Sequence, residues 1–208
     1  MASLVASVLL VHLLALASPG PDFFFVTQTA MSRSRAEGLL GAAGIALGIA
    51  VWAALSLLGL QFLFERFSWL QRLIMAAGAL YLLWMAWGLL KSAVRKGPDT
   101  GHAVRLGNSR MKTFVMGLLT NLANPKALVY FGSVFSLFVE PGQPAAVKWL
   151  LFALIAIESL AWFCFVTVVF SLPALQAGYR SAARWIDCAA GVLFAGFSMA
   201  LAWNAMHG

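Results

Sequence analysis

The chain has 208 residues, of which 62% are hydrophobic and 10% are charged. Charged residues make up about a quarter of a soluble domain, so this composition excludes a water-soluble globular protein. It also excludes a disordered, collagen-like or disulfide-rich secreted chain. The net charge is +7, but no soluble domain or aromatic-basic stripe is available to bind nucleic acid. The predicted surroundings are therefore a lipid bilayer.

Charged residues divide the chain into apolar stretches that can each supply the roughly 20 residues of a membrane-spanning helix. Neither strand alternation nor the polar face of a soluble helix bundle is present. The predicted fold class is an all-α integral membrane protein with six transmembrane helices in a single domain, residues 1–208. The stretches are 1–32, 38–64, 73–90, 113–139, 149–179 and 188–208.

The basic residues predict the orientation of these helices. With six spans, the loops after the first, third and fifth lie on one side of the membrane and hold most of the Lys and Arg. The opposite side holds only Arg66, Arg72 and Lys148. Basic loops face the cytoplasm, so both termini are predicted outside it. The basic residues assigned to the cytoplasmic side are Arg33, Arg35, Lys91, Arg95, Lys96, Arg105, Arg110, Lys112, Arg180 and Arg184.

The chain shows traces of an internal repeat. A basic linker, residues 97–104, separates repeat one (1–96) from repeat two (105–208). Pro21-Asp22 in the first span corresponds to Pro125-Lys126 in the fourth, and AAGALY at 76–81 corresponds to AAGVLF at 189–194. Because each repeat has an odd number of helices, the second copy enters the membrane inverted, as in many secondary transporters.

Helices 1 and 4 are predicted to break at proline motifs. The first motif is Ser18-Pro19-Gly20-Pro21-Asp22, and the second runs from Asn121 through Asn124 and Pro125 to Lys126. Proline removes an amide donor and breaks or bends a helix. Asn124 is suited to cap a half-helix that starts at Pro125. An ordinary proline kink is the alternative, but two kinks in matching helices favour a functional role.

Three ionisable residues lie inside predicted spans, namely Asp22, Lys126 and Glu158. A charge at the centre of a span costs about 2.5–3.5 kcal/mol on insertion scales, so these groups should pair or face a cavity. One interpretation is a static ion pair that holds the bundle together. The other is a binding site for a zwitterion such as an amino acid, with Asn121 and Asn124 beside it.

The second span carries Gly41, Gly44, Gly48 and Trp52 at helical spacing. Small residues four apart allow close helix contact, so packing is the favoured role. Trp52 is also a candidate cavity wall. The glycine face and the small size of the chain leave room for a homodimer.

Other chemically notable residues receive simpler interpretations. His12 can share a face with Asp22, and we expect a packing role more than a proton relay. Asp187 is expected to be an interfacial anchor. Cys164 and Cys188 match neither proline motif, which argues against a redox membrane subunit. Without a nucleotide-binding loop, metal-ligand cluster or nucleophile-base pair, no enzyme activity, metal or cofactor is expected.

The proline motifs, the segment GLLTNLANPK at 117–126 and the glycine face together resemble the LysE/RhtB family of amino-acid exporters. The resemblance covers nearly the whole chain. It implies a bacterial inner-membrane exporter of threonine, or of homoserine or related small neutral amino acids, driven by the proton gradient. Both termini would then be periplasmic. The family motifs fall on Pro19, Gly20, Pro21, Asn124, Pro125 and Lys126. Alternatives are another exported amino acid or metabolite, or a non-transport structural or redox subunit.

Overall fold

A computed structural model describes residues 2–18, 20–94, 110–134 and 143–207, and all regular structure in these ranges is helical. Within lipid, a helix satisfies its own backbone amides and carbonyls, which explains this uniformity. The predicted linker 97–104 lies outside the described residues. The elements are α1 (Ala2–Ala17), α2 (Pro21–Ser32), α3 (Arg35–Leu57), α4 (Leu60–Arg66), α5 (Ser68–Val94), α6 (Arg110–Leu122), α7 (Pro125–Val129), a π-helical turn (Tyr130–Val134), α8 (Ala145–Phe170) and α9 (Pro173–His207).

Four of these helices contain segments long and apolar enough to cross a membrane, and the α1–α2 pair forms a fifth if it counts as one bent span. The prediction of an all-helical membrane protein is confirmed at this level. The predicted fourth span, 113–139, is divided among α6, α7 and the π-helical turn, and its last residues lie outside the described ranges. The four single segments are Arg35–Leu57, Trp69–Lys91, Ala145–Phe170 and Arg184–Met206.

The predicted boundary between the last two spans was wrong. The stretch 149–179 does not form one helix, because α8 ends at Phe170 and α9 begins at Pro173. Proline disfavours helix at the preceding residue and suits the first position of a new helix. Arg180 and Arg184 therefore lie within α9 rather than in a loop.

Helices α5 and α9 pack antiparallel, through the two copies of the AAG motif. A Cβ added to Gly78 would lie 2.9 Å from Leu201 Cδ2, and one added to Gly191 would lie 2.8 Å from Leu90 Cγ. Each motif glycine thus faces the other helix at corresponding places in the two repeats.

Helices α3 and α6 run parallel and approach each other at glycines. A Cβ on Gly44 would meet the carbonyl oxygen of Phe114, and one on Gly117 would meet that of Gly41. These contacts involve backbone atoms, which have little freedom to move aside. The glycine face of α3 therefore brings α6, and the helix break that follows α6, close to the centre of the molecule.

Candidate binding site at two helix breaks

The first break lies between α1 and α2. Helix α1 ends at Ala17, α2 starts with Pro21 at its first position, and the two axes differ by 59°. Gly20 is extended and caps α2 through its backbone, and Pro19 lies outside the described residues. Asp22 consequently falls in the first turn of α2, where the positive end of the helix dipole favours a carboxylate.

The second break lies between α6 and α7. Helix α6 ends at Leu122, and α7 starts with Pro125 at its first position. The side-chain oxygen of Asn124 accepts a hydrogen bond of 2.9 Å from the backbone amide of Lys126. This is the N-cap arrangement that asparagine favours, so the local sequence both ends one helix and starts the next.

Asp22 joins the two breaks. Its Oδ2 accepts hydrogen bonds of 2.8 Å from Nδ2 of Asn121 and 2.8 Å from Nδ2 of Asn124. The side chain is buried, and its Oδ1 has no hydrogen-bond partner within the described structure. A buried carboxylate oxygen without a donor is costly, which makes Oδ1 a natural acceptor for a ligand.

Lys126, at the second break, binds backbone carbonyls at the first break. Its Nζ donates to the carbonyl oxygens of Ala15, at 2.8 Å, and Ser18, at 2.6 Å. The carbonyl end of α1 carries partial negative charge, which favours a cation there. A Cβ on Gly20 would lie 3.3 Å from this Nζ, so glycine leaves the amine room to approach. One of the three ammonium donors is left for a ligand.

The two charges therefore bind amides and carbonyls rather than each other. Asp22 and Lys126 do not form a direct ion pair, whereas Arg33 and Glu37 on neighbouring turns do. The static ion pair considered from the sequence is not the arrangement observed.

A small cavity lies between the breaks. Asp22, Asn121, Asn124 and Lys126 supply polar atoms to its wall. The space in which the centre of a water molecule can lie has a volume of about 30 Å³. That is room for a few waters at most, so the cavity must widen to admit an amino acid. The other lining residues are His12, Ala15, Leu16, Phe23, Ile49, Ala127, Tyr130, Phe131 and Phe163.

Glu158 does not line this cavity. It lies on α8 with an intermediate exposure, and its Oε2 has no hydrogen-bond partner among the described residues. The next residue, Ser159, is fully buried and reaches His12 on the cavity wall. The structure thus brings Asp22 and Lys126 to one site but leaves the third predicted ionisable residue outside it.

The second-span residues lie behind the site. A Cβ on Gly48 would lie 2.6 Å from Asn121 Oδ1, so this glycine makes space for the asparagine. Trp52 is buried, does not line the cavity, and donates from Nε1 to the carbonyl of Asn121 at 3.4 Å. That carbonyl lies at the end of α6 and also accepts a hydrogen bond of 3.0 Å from the backbone amide of Asn124. Together these residues hold Asn121 against Asp22.

Asp187, for which an interfacial anchor role is expected, is 1% exposed, and its Oδ1 accepts a hydrogen bond of 2.8 Å from Gln28 Nε2. This contact connects α2 to α9 in the second half of α2, two turns beyond its proline. The aromatic wall residues Tyr130 and Phe131 were also not anticipated, although they follow the second proline motif directly.

Apolar spans around a small polar cavity, with two helices broken at that cavity, are typical of membrane translocators. Residues 13–205 match the family model of the LysE type translocators, and the chain belongs to this family. The resemblance seen in the proline motifs is thereby confirmed.

Several curated proteins are similar over nearly their whole length. The chain is 51% identical to the threonine efflux protein of Escherichia coli (strain K12) over 203 residues, which cover 97% of this chain and 98% of that protein. It is 50% identical to the threonine efflux protein of Salmonella typhi with the same coverage. A leucine efflux protein of Enterobacter sp. (strain 638) is 27% identical over 88% of each chain. No solved structure matches the chain.

Proposed function

We propose that this chain is a secondary transporter, not an enzyme, that exports threonine from the bacterial cytoplasm in exchange for protons. The observation that carries the proposal is the 51% identity, over 97% of the chain, to a threonine efflux protein. The cavity at the two breaks supports it, because its charged and polar groups suit a zwitterion. Homoserine and other small neutral amino acids are the alternative substrates.

The unpartnered groups of the cavity suggest how the substrate binds. Asp22 Oδ1 and Asn121 Oδ1 are both buried acceptors without a partner in the described structure. An ammonium group has three N–H donors and would satisfy both. The carboxylate would take the remaining donor of Lys126 and the positive ends of α2 and α7. Glu158, outside the cavity, is assigned no contact with the substrate.

Competition at Asp22 gives a mechanism for coupling. The same Oδ1 that would accept the substrate ammonium would also take a proton, and it cannot hold both. A proton arriving from outside would release the substrate there, and loss of that proton to the cytoplasm would permit the next substrate to bind. This sequence exchanges one proton for one amino acid and has the direction of export.

Helix directions support six membrane crossings arranged as two inverted repeats, 1–96 and 105–208. Gly38 at the start of α3 contacts Thr167 near the end of α8, and α6 runs parallel to α3. Helix α6 therefore begins on the side of the membrane where α8 ends. Because α8 begins on the opposite side, one crossing is expected between the start of α6 and the start of α8. The antiparallel pair α5–α9 is what an inverted repeat requires.

The basic residues still favour a cytoplasmic position for the linker and for the start of α3. With this orientation both termini would be periplasmic, and we propose the inner membrane as the location because the similar efflux proteins are bacterial. Dimerisation remains a proposal from the small size of the chain, since the glycine face of α3 is used for contact with α6.

Efflux of labelled threonine from loaded cells tests the proposal. Cells that express the chain should lose label faster than cells with empty vector, and an uncoupler should abolish the difference. A competition series with homoserine, serine and leucine then ranks the substrates. Equal efflux with and without the protein, at a verified level in the membrane, would contradict threonine export. Efflux that persists with the uncoupler would contradict proton coupling but not threonine export.

A further inference from the structure

His12 is a buried polar residue in the cavity wall to which the proposed binding mode gives no role. It is 2% exposed and lies on α1, among the aromatic residues of the wall. Its ring centroid is 5.3 Å from that of Tyr130 and 6.1 Å from that of Phe131. The ring is therefore held in place on one side of the cavity.

Hydrogen bonding fixes the tautomer of this imidazole. His12 Nε2 lies 2.9 Å from Ser159 Oγ, and the Ser159 hydroxyl donates its one hydrogen to the carbonyl of Ile155 at 2.7 Å. Ser159 can thus only accept from the imidazole, so Nε2 carries the hydrogen. Lys126 lines the same cavity, and its charge opposes a second positive group there.

The other ring nitrogen is consequently a free acceptor. In a neutral imidazole protonated at Nε2, Nδ1 has a lone pair and no hydrogen. His12 Nδ1 is buried and has no hydrogen-bond partner among the described residues. Buried polar atoms in proteins are nearly always hydrogen-bonded to protein or water, so an unpaired acceptor on a cavity wall is open to a donor of a ligand that displaces water there.

We propose that His12 Nδ1 accepts a hydrogen bond from the side-chain hydroxyl of the substrate. The inference rests on the proposed function and deepens it. The ammonium and carboxylate, which Asp22 and Lys126 would bind, are common to all amino acids and cannot select among them. A buried acceptor can, because a substrate without the hydroxyl leaves it unpaired. His12 is then the residue that makes the cavity selective for a hydroxy amino acid.

Competition between threonine and 2-aminobutyrate, which has hydrogen in place of the hydroxyl, tests this role. His12→Phe removes the acceptor, and His12→Gln removes it from the position of Nδ1, because the glutamine amide oxygen lies further along the side chain. His12→Gln keeps an amide that can donate to Ser159, and His12→Phe keeps the aromatic ring. His12→Asn is the matched control, because its amide oxygen can take the place of Nδ1. Export of threonine by the unmodified protein is established first, so failure of the proposed function is recognised separately.

The unmodified protein should prefer threonine, and the Gln and Phe variants should lower this preference roughly 2- to 10-fold, the effect of one hydrogen bond. The Asn variant should retain most of it. Three results would each overturn the proposal. The first is equal export of both compounds by the unmodified protein. The second is an unchanged preference for threonine in an inserted Gln or Phe variant. The third is an Asn variant that loses the preference for threonine as completely as the Gln variant does. Equal export of both compounds by the unmodified protein overturns the proposal even if neither the Gln nor the Phe variant inserts.

Discussion

Replacement of Asp22 by asparagine separates its structural role from its proposed role in transport. An asparagine can place its amide oxygen where Oδ2 lies and still accept from Asn121 and Asn124, both now at 2.8 Å. Its NH₂ group would then occupy the position of Oδ1. The charged one of the two acceptors proposed for the ammonium becomes a donor, while the connection between the two helix breaks is kept.

The structure sets the expected size of the effect. A hydrogen bond to a charged group contributes about 1.5–3 kcal/mol, so losing the ammonium contact should weaken threonine binding about 10- to 150-fold. Asp22→Ala differs, because it leaves the buried Nδ2 groups of Asn121 and Asn124 without an acceptor. At about 1–3 kcal/mol for each donor, the alanine variant should lose about 2–6 kcal/mol of stability as well.

The assay compares the two variants with the unmodified protein in threonine efflux, protein level in the membrane, and thermal stability in detergent. We expect the asparagine variant to insert normally and to lose export, and the alanine variant to lose both stability and export. Near-normal export by an inserted Asp22→Asn protein would refute the ammonium site and the coupling mechanism. Equal instability of both variants would instead refute the separation of the two roles.

Three further predictions follow from other contacts. Lys126→Met keeps the unbranched stem but leaves the α1 carbonyls without a donor, so efflux should fall at least about tenfold at a normal membrane level. Gly44→Ala forces a Cβ against a backbone carbonyl of α6 and should lower stability by about 1–3 kcal/mol in a thermal scan. Gly196→Ala is its control, since nothing lies within 4 Å of that Cβ, and it should not destabilise. Cys164 and Cys188 are free thiols, and replacing both with serine should leave threonine efflux unchanged. Loss of efflux in this double variant would instead favour the redox alternative.

The positions of the helix breaks were predictable from sequence because proline acts locally. Pro21 and Pro125 each begin a new helix, and the residue after each one carries the charge. The groups that these charges contact were not predictable, since they depend on how separate helices pack. The sequence predicted that Asp22 and Lys126 would pair or face a cavity, and the fold binds each to backbone or amide groups of the opposite break at a shared cavity.

The sequence predicted Glu158 as a site residue, and the rotation of α8 about its axis explains why it does not line the cavity. The buried positions of α8 include Leu151, Ile155, Ser159 and Phe163, at intervals of four residues. Successive residues of an α-helix point about 100° apart, so Glu158 is turned away from the face that Ser159 occupies. An apolar stretch shows no polar side from which this rotation could be read. A charge inside such a stretch is evident from the sequence, whereas the sequence gives no sign that the smaller hydroxyl of Ser159 reaches His12.

The contacts at the two breaks are reciprocal, and this constrains how the cavity can open. Asp22 of the first break is held by amides of the second, and Lys126 of the second is held by carbonyls of the first. A cavity of about 30 Å³ can only admit an amino acid if the breaks separate, which weakens at least one of these connections. The substrate carries the replacements itself, an ammonium for the carboxylate and a carboxylate for the lysine. Binding would therefore stabilise the widened state selectively, and a ligand can shift a conformational equilibrium only through such differential contacts. An analogue of threonine that lacks either the ammonium or the carboxylate should consequently show no export above the empty-vector level in the efflux assay, even if it fits the cavity.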